Sequence, residues 1–269
     1  MSPESRGPAP RPVCRRVAVG LEYDGTGYSG WQIQAHAPTV QGTLNAAISR
    51  VAAEPVDCVG AGRTDAGVHA EAQVAHFDTA ATRRPREWVL GTNSNLPDDI
   101  SVLWAADVPG DFSARYSALE RGYRYRILNR PVRSALERDR AWWVRQPLDL
   151  SAMATAAEAF LGEHDFSAFR AAACQAQSPL REIRRLDVSR EGEIVTVHIE
   201  ANAFLHHMVR NIVGTLARVG MGEASPDSIP ELLAGRDRKR AGMTAPAAGL
   251  SLVSVRYPAV LGLPASATG

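Results

Sequence analysis

The order of strands and helices predicted from hydrophobic periodicity repeats once along the chain. Alternating or continuous apolar residues predict strands, and apolar residues spaced three and four apart predict helices. In the first half, this periodicity predicts strands at 16–22, 73–77 and 100–106 and a further strand that ends near residue 60. It predicts helices at 40–51 and 87–94. The second half gives strands at 123–128, 182–189, 193–200 and 250–255, with helices at 150–161 and 204–219.

Both halves therefore have the order β-α-β-β-α-β. This is the split-βαβ, ferredoxin-like order, in which two helices cover one face of an antiparallel sheet. The sequence predicts an α+β fold with two ferredoxin-like (split βαβ) halves. We expect their antiparallel sheets side by side, helices packed on one face, and a cleft between the halves. The chain has 269 residues, which is enough for two such units.

The predicted domains follow this repeat. We expect an N-terminal α+β domain at 13–112, a C-terminal α+β domain at 113–258, a disordered N-terminal tail at 1–12 and a C-terminal tail at 259–269. No stretch offers the roughly 18 apolar residues that a membrane span needs, so we expect a cytoplasmic protein. The three cysteines are far apart and support neither a disulfide framework nor a Cys-based zinc site.

Basic residues are concentrated in one segment of the C-terminal domain, although the formal net charge of the chain is only +1. Residues 115–145 contain nine arginines and three acids, with tyrosines and tryptophans between them. Guanidinium groups neutralise phosphates and aromatic faces support unstacked bases, so this composition is typical of a surface that binds structured RNA. A solvated charged surface above buried aromatics is the alternative. Within the strand, Tyr123 and Tyr125 share one face, and the intervening arginines take the other.

A glycine-rich loop at residues 60–70, in the N-terminal domain, contains a candidate catalytic carboxylate, Asp65. Glycines allow a sharp turn and let a ligand approach the main chain. Arg63 lies two residues upstream, and a guanidinium beside a carboxylate favours the charged form. An ionised aspartate on a tight turn is a candidate nucleophile, whereas the alternative is an aspartate that only hydrogen-bonds its own turn. For His69 we favour packing or hydrogen bonding behind the loop over a role as a base.

The predicted helix at 204–219 contains a second candidate, Arg210. His206 and Arg210 are four residues apart and would share one stripe of this helix with several small residues. Such a stripe would press against a sheet and bury Arg210, which then needs an anionic partner such as Asp65. A metal site at His206 and His207 is disfavoured, because adjacent helical residues point about 100° apart and no third ligand has suitable spacing.

Four motifs, in this order, resemble the tRNA pseudouridine synthase A family. They are Gly-Arg-Thr-Asp-Ala-Gly-Val-His at 62–69, Tyr-Arg-Tyr at 123–125, Phe-Leu-His-His-Met-Val-Arg-Asn-Ile-Val-Gly at 204–214 and Ala-Pro-Ala-Ala-Gly-Leu at 245–250. Supporting matches lie at 23–25, 30–32, 95–97, 165–170 and 174–175. The resemblance covers residues 16–257. Asn45 and Ala248 depart from the residues usual in the family, at positions where no chemistry is expected.

The resemblance implies isomerisation of uridine to pseudouridine in tRNA, on the 3′ side of the anticodon stem-loop (expected tRNA positions 38, 39 or 40). It implies that Asp65 is the nucleophile, that Tyr123 stacks on the target uracil and that Arg210 pairs with the carboxylate. Arg63 would contact the RNA or help to displace the base, and Leu250 would line the uracil pocket. The family works on tRNA as a homodimer, without cofactor or metal.

Two alternatives to this reaction remain open from the residues alone. A non-catalytic structured-RNA-binding or RNA-chaperone protein would use the same cleft and would tolerate the nearly isosteric Asp65→Asn. A hydrolase with a lone aspartate is disfavoured, because such enzymes usually pair two carboxylates and no second acid lies nearby in sequence. A role of the Tyr123 phenol in removing the C5 proton of uracil is a separate hypothesis.

Overall fold

The computed structural model describes residues 14–172 and 174–264. Its strands are β1 (Arg15–Tyr23), β2 (Val59–Gly60), β3 (His69–Thr79), β4 (Ile100–Val108), β5 (Glu120–Asn129), β6 (Trp142–Val144), β7 (Gly162–Asp165), β8 (Leu180–Glu191), β9 (Ile194–Ala201) and β10 (Leu250–Arg256). Its α-helices are α1 (Val40–Ala52), α2 (Pro85–Asn93), α3 (Leu150–Glu158), α4 (Met208–Gly220) and α5 (Ser228–Gly235). The predicted tail at 1–12 lies outside the described residues.

All ten of these strands belong to one sheet, whose main path runs β4-β1-β3-β10-β5-β9-β8-β7. Strands β4, β1, β3 and β2 have the spatial order of a ferredoxin-like unit, and β10, β5, β9 and β8 repeat that order. Neighbouring strands within each unit are antiparallel. The predicted α+β class with two ferredoxin-like halves is therefore confirmed.

The two halves are joined along the edge of β3. Strand β2 has only two residues and pairs with β3 near His76. The other end of β3 is left open, and β10 pairs there in parallel, with Ser251 opposite His69. A short second strand in the first unit thus makes room for the last strand of the second. The two antiparallel sheets lie side by side, as predicted, and they merge into one continuous sheet.

Helices α1 and α2 pack together in the first unit, and α3 and α4 pack together in the second. Apolar residues at helical spacing, such as Leu44 and Ile48 in α1, are fully buried. Burial of one such side chain contributes about 1.5–3 kcal/mol, so these amphipathic segments are stable as helices against the sheet. Thr39 caps α1 by accepting a hydrogen bond from the backbone N–H of Gly42 at 3.3 Å.

Helix α4 begins at Met208, later than the predicted helix at 204–219. His207 precedes it with a φ of 62°, in the left-handed region, so the chain turns sharply before the helix begins. His206 lies in that turn. The predicted helical stripe shared by His206 and Arg210 is therefore wrong, because only Arg210 is in the helix.

Gly214 of α4 contacts a loop. A Cβ added to Gly214 would lie 1.8 Å from the carbonyl oxygen of Met243. A Cβ added to Gly242 would lie 2.6 Å from the backbone of Gly214. The loop at 242–245 thus packs directly on the helix backbone at Gly214, where the sequence predicts contact with a sheet.

No helix in the described part of the chain is long and apolar enough to cross a membrane.

The connection between the halves is packed, since Phe112 contacts Tyr257 with ring centroids 5.4 Å apart. Of the predicted C-terminal tail, residues 259–264 are described, and Leu263 among them is buried. The limits of the two domains stay a prediction.

Candidate active site

The Asp65 loop, residues 60–70, is held in place by a neighbouring loop at 24–31. The carbonyl oxygen of Thr64 accepts a hydrogen bond from the backbone N–H of Trp31 at 3.0 Å. Gly30 has a φ of 89°, and a Cβ added there would lie 2.5 Å from the same carbonyl oxygen. Glycine is required at this point, because any side chain would separate the two loops.

A buried polar network supports the Asp65 loop from the sheet. Gln73 on β3 is fully buried. Its Nε2 donates to the carbonyl oxygen of Gly62 at 2.9 Å, and its Oε1 accepts from the backbone N–H of Gly62 at 3.3 Å. The hydroxyls of Tyr23 and Thr64 lie 2.9 Å apart. Because satisfied buried hydrogen bonds fix one conformation, the fold sets the position of Asp65 before any ligand binds.

His69 lies behind the loop with both ring nitrogens occupied. Nδ1 accepts a hydrogen bond from the backbone N–H of Gly25 at 3.1 Å, and Nε2 is 2.8 Å from the carbonyl oxygen of Asp139. Together with Asp24 Oδ1, which lies 3.2 Å from Nδ1, these contacts hold the ring in one orientation. His69 therefore connects the two halves, and the predicted hydrogen bonding behind the loop is confirmed.

Asp65 is surrounded by three basic side chains, two from the turn before α4 and one from its first turn. Arg210 donates from Nη1 to Oδ2 at 3.1 Å. His207 Nε2 lies 3.3 Å from Oδ2, and His206 Nε2 lies 3.3 Å from Oδ1. The side chains of Asp65 and Arg210 are only 20% and 15% exposed, so their charge-assisted hydrogen bond is little weakened by water.

The second half of the chain fixes Arg210 in this orientation. Its Nε donates to the carbonyl oxygen of Ala245 at 2.7 Å, and the N–H of Ala245 donates back to the carbonyl oxygen of Arg210 at 3.1 Å. The hydroxyl of Tyr125 on β5 donates to the carbonyl oxygen of Pro246 at 2.7 Å and holds the same segment from the sheet. The guanidinium therefore has one N–H on the backbone and another on Asp65.

Asp65 lies in the wall of a cavity of about 760 Å³ between the two halves. Five site residues predicted from sequence line this cavity: Asp65, Arg63, Tyr123, Arg210 and Leu250. Arg63 is exposed, whereas Leu250, at the start of β10, is buried. The volume is within the range of small-molecule sites, so the cavity can enclose a nucleoside-sized group.

Tyr123 presents a buried aromatic wall to the cavity. It lies on β5 with 8% of its surface exposed, and its ring meets Phe204 edge to face with centroids 5.1 Å apart. Burial raises the pKa of the Tyr123 hydroxyl, and the nearby Tyr23 and Asp65 add to the effect. The side chain is therefore a neutral phenol at physiological pH.

Positive charge is concentrated in the same cavity. Five arginines line it: Arg63, Arg115, Arg121, Arg181 and Arg210. Within residues 14–172 and 174–264, only Arg210 of these five forms an ion pair, and its partner is Asp65. Arg121 donates instead to backbone carbonyls, among them those of Ala61 and Asn202. Cations without acidic partners in a concave site attract anions.

Acidic side chains neutralise more of the positive charge in the basic segment at 115–145 than its composition predicts. Five of its nine arginines form ion pairs with acids: Arg124, Arg126, Arg130, Arg138 and Arg140. Arg124 and Arg126 lie on the opposite face of β5 from the buried Tyr123 and Tyr125, as predicted. The role of this segment in binding RNA stays a prediction. Of its four arginines without an ion pair among the described residues, Arg115 and Arg121 line the cavity.

Asp65, His206 and His207 bring three possible metal-ligand atoms within 4.8 Å of one another. Two histidines and a carboxylate are a known donor set for zinc. Asp65, which is distant in sequence from the two histidines, thus supplies the third possible ligand. The spacing of residues in the sequence therefore does not exclude a metal site here. The absence of a metal stays a prediction, supported by the guanidinium of Arg210 at 3.1 Å from Oδ2, which repels a second cation.

Sequence reasoning missed several residues that line this site. His206 and His207 are predicted to lie in a regular helix, where they would diverge, whereas the structure has them in the turn before α4. Arg121 and Arg181 were not distinguished from other arginines, because sequence does not show which arginines meet an acid.

Comparison with known proteins adds an independent observation. A family model described as tRNA pseudouridine synthase matches residues 21–117 and 156–258. The chain belongs to this family of tRNA pseudouridine synthases. A relative named tRNA pseudouridine synthase A, from Xanthomonas campestris pv. campestris, is 54% identical over 255 residues, covering 94% of this chain and 99% of the relative. Relatives with the same name from Xanthomonas oryzae pv. oryzae and Hydrogenovibrio crunogenus are 55% and 53% identical, covering 94% and 92% of this chain and 99% and 95% of each relative.

As a tRNA pseudouridine synthase, the protein is an isomerase that acts on uridine in tRNA. The alternatives of a non-catalytic RNA-binding protein and of a hydrolase receive no support from these relatives. In this synthase, Asp65 lies in the first matched segment, and Arg210 and Leu250 lie in the second. Tyr123 lies between the two matched segments, yet the fold brings it to the same cavity.

Proposed function

We propose that Asp65 is the nucleophile of this synthase and that Arg210 holds it in position. The observation that carries the proposal is the hydrogen bond from Arg210 Nη1 to Asp65 Oδ2, 3.1 Å long, in the cavity wall. Asp65 is the only acid among the described residues that line this cavity. A lone carboxylate beside a guanidinium is suited to covalent addition, whereas hydrolases commonly pair two carboxylates.

The reaction breaks the glycosidic bond between N1 and C1′, turns the uracil and forms a bond between C5 and C1′. Addition of Asp65 to the sugar or the base divides one difficult step into two easier ones. Flipping the uridine out of its stack costs a few kcal/mol, and stacking on an aromatic ring returns about 1–3 kcal/mol. We assign this stacking to Tyr123 and contact with the uracil edge to Leu250, because both line the cavity with Asp65.

The substrate that we propose is the anticodon stem-loop of tRNA, with uridines at tRNA positions 38, 39 or 40 as targets, by resemblance to the family. The four cavity arginines without acidic partners support it, since they can neutralise phosphates on either side of a flipped nucleotide. Arg63 is exposed in the cavity, and we assign it to contact with the RNA or displacement of the base.

The same resemblance leads us to propose a homodimer that acts in the cytoplasm without cofactor or metal. Arg210 supports the metal-independent reaction, because its guanidinium already supplies the positive charge that Asp65 needs. A dimer would be tested by light scattering of the purified protein at several concentrations.

The experiment that tests this function uses an unmodified tRNA transcript, with and without a chelator. Modified positions are mapped with a pseudouridine-selective reagent and primer extension. We expect stops in the anticodon arm that are unchanged by the chelator and absent with Asp65→Asn, while tRNA binding stays within about twofold because the substitution is nearly isosteric. Stops elsewhere would refute the substrate, and stops that persist with Asp65→Asn would refute the nucleophile.

A further inference from the structure

The two oxygens of Asp65 have different surroundings. Oδ2 is contacted by Arg210 Nη1 at 3.1 Å and by His207 Nε2 at 3.3 Å. Among the described side chains, the basic group at Oδ1 is His206, with Nε2 at 3.3 Å. An oxygen that already accepts from a guanidinium has less electron density to donate to carbon. Oδ1 is therefore the better nucleophile, and the imidazole of His206 lies beside the atom that reacts.

Pseudouridine formation needs a proton acceptor at this place. C5 of the uracil loses its hydrogen once the bond to C1′ has formed, and N1 gains one. Tyr123 is unsuited to the task, because burial raises the pKa of its phenol and leaves almost no phenolate at neutral pH. Asp65 is occupied by Arg210 and by bond formation to the substrate.

His206 combines an anchored backbone with an open side chain. Its N–H donates to Sγ of Cys174 at 3.5 Å, and its carbonyl oxygen accepts from the N–H of Ala171 at 3.0 Å. The side chain is 39% exposed and lines the cavity. Among the described residues, the titratable groups that contact it are Asp65, His207 (ring centroids 4.0 Å apart) and Cys174, and Arg210 contacts the other oxygen of Asp65. An imidazole that is fixed at its backbone and open to the cavity can touch a bound base.

We propose that His206 is the general base of the isomerisation, a role that rests on the proposed attack by Asp65. For attack at C1′, formation of the C5–C1′ bond releases Asp65 as a carboxylate. Nε2 of His206 then takes the proton from C5, the C–H electron pair forms the C5–C6 double bond, and the π pair between C6 and N1 moves to N1. The imidazolium is stabilised by the released carboxylate and passes a proton to N1. The net change moves one hydrogen from C5 to N1, with no oxidant or reductant.

The test measures single-turnover release of tritium from a tRNA transcript that carries 5-tritiated uridine. We expect His206→Ala to slow release by about 10²–10⁴-fold, the range of general base catalysis, with tRNA affinity changed by less than about threefold. Added imidazole should restore part of the rate, more so as pH rises and the free base predominates. Release at the wild-type rate, or a loss that imidazole does not rescue, would overturn the proposal.

A second variant keeps the proposal testable if His206→Ala fails to fold. His206→Gln keeps a polar side chain that cannot accept a proton, so tritium release should slow as in His206→Ala and the isotope effect of deuterium at C5 should increase. An unchanged isotope effect would count against His206. The two proposals fail in different ways. Release of tritium by Asp65→Asn would overturn the role of Asp65 as nucleophile. Full activity of the His206 variants alone would overturn only the role of His206 as general base.

Discussion

Arg210 donates a hydrogen bond to Asp65 over 3.1 Å, although the two residues are 145 positions apart in the chain. Asp65 belongs to the loop that precedes β3 in the first half, and Arg210 belongs to the first turn of α4 in the second. The carbonyl oxygen of Ala245 holds the other side of the guanidinium. The carboxylate and its partner are thus positioned by separate parts of the fold, and their contact forms only when the halves have joined.

The first prediction concerns the geometry of Arg210. Arg210→Lys keeps the charge but cannot bond Asp65 and the carbonyl oxygen of Ala245 with a planar fork. Loss of one hydrogen bond to a charged group costs about 1.5–3 kcal/mol, so we expect the single-turnover rate to fall by about 10–100-fold with little change in tRNA affinity. Arg218→Lys, on the same helix in an exposed ion pair with Glu223, is the matched control and should retain full activity. Equal rates for both variants would contradict the role of Arg210.

The second prediction concerns the cations of the cavity that lack acidic partners. Arg63→Gln and Arg115→Gln should each weaken tRNA binding at low salt and reduce the slope of log affinity against log salt by about 1, because each removes one phosphate contact. Filter binding at several salt concentrations measures the slope. Arg15→Gln, at a residue that is paired with Asp107 and does not line the cavity, should leave the slope unchanged. The assignment fails if the slope is the same in all four proteins.

The third prediction concerns the close approach of α4 and the loop at 242–245. Gly214→Ala places a Cβ 1.8 Å from the carbonyl oxygen of Met243, so the backbone of the loop must move. We expect a loss of stability of about 1–3 kcal/mol and lower activity, because the same loop orients Arg210. Gly27→Ala is the matched control, since nothing lies within 4 Å of its added Cβ, and it should change stability by less than about 1 kcal/mol. Thermal unfolding distinguishes the two, and equal midpoints would contradict the close contact.

The fourth prediction concerns the pH dependence of stability. Nδ1 of His76 accepts a hydrogen bond from the N–H of Ala114 at 3.1 Å, which requires an unprotonated nitrogen. Burial, with a contribution from Arg16, lowers the pKa of His76 in the folded protein. The unfolded chain has the ordinary histidine pKa of about 6.5, so below that pH it binds a proton that the folded protein does not, and stability falls as the pH decreases. The unfolding midpoint should be lower at about pH 5.5 than at about pH 7.5.

His76→Asn is the control for this effect. The Oδ1 of asparagine offers an acceptor near the position of Nδ1 but does not titrate. We expect a smaller difference between the two midpoints in this variant. Some difference should remain, because burial also lowers the pKa values of His198 and His207. A difference as large as that of the wild type would show that His76 does not contribute.

Much of this site follows from local sequence patterns. The period of apolar residues gave α1 and the strands flanking the Asp65 loop, because burial on one face dictates which residues must be apolar. Glycines around Asp65 indicated a tight turn and close backbone contacts, and Gly30 shows the same requirement one loop away. The need of a buried arginine for an acid makes Asp65 a candidate partner of Arg210, and the resemblance to the family implies the same pair.

The remaining features depend on contacts between distant segments. The start of α4 was misplaced because His207 adopts a left-handed conformation that histidine rarely takes, and only its surroundings select it. An arginine of the cavity forms an ion pair only if an acidic side chain from another strand lies beside it, and the local sequence does not show this. The parallel pairing of β10 with β3 is likewise invisible in either segment alone, because both read as ordinary apolar strands.

The place of β10 in the sheet has a consequence for biosynthesis. Of the ten described strands it is the last to leave the ribosome, yet it lies between β3 and β5 near the middle of the sheet. A nascent chain that ends before Leu250 would expose two unpaired strand edges, and one that ends before Ala245 would also lack the carbonyl oxygen that orients Arg210. Such a chain would be prone to aggregation and unable to modify tRNA. Activity is thus withheld until translation of the sheet is complete.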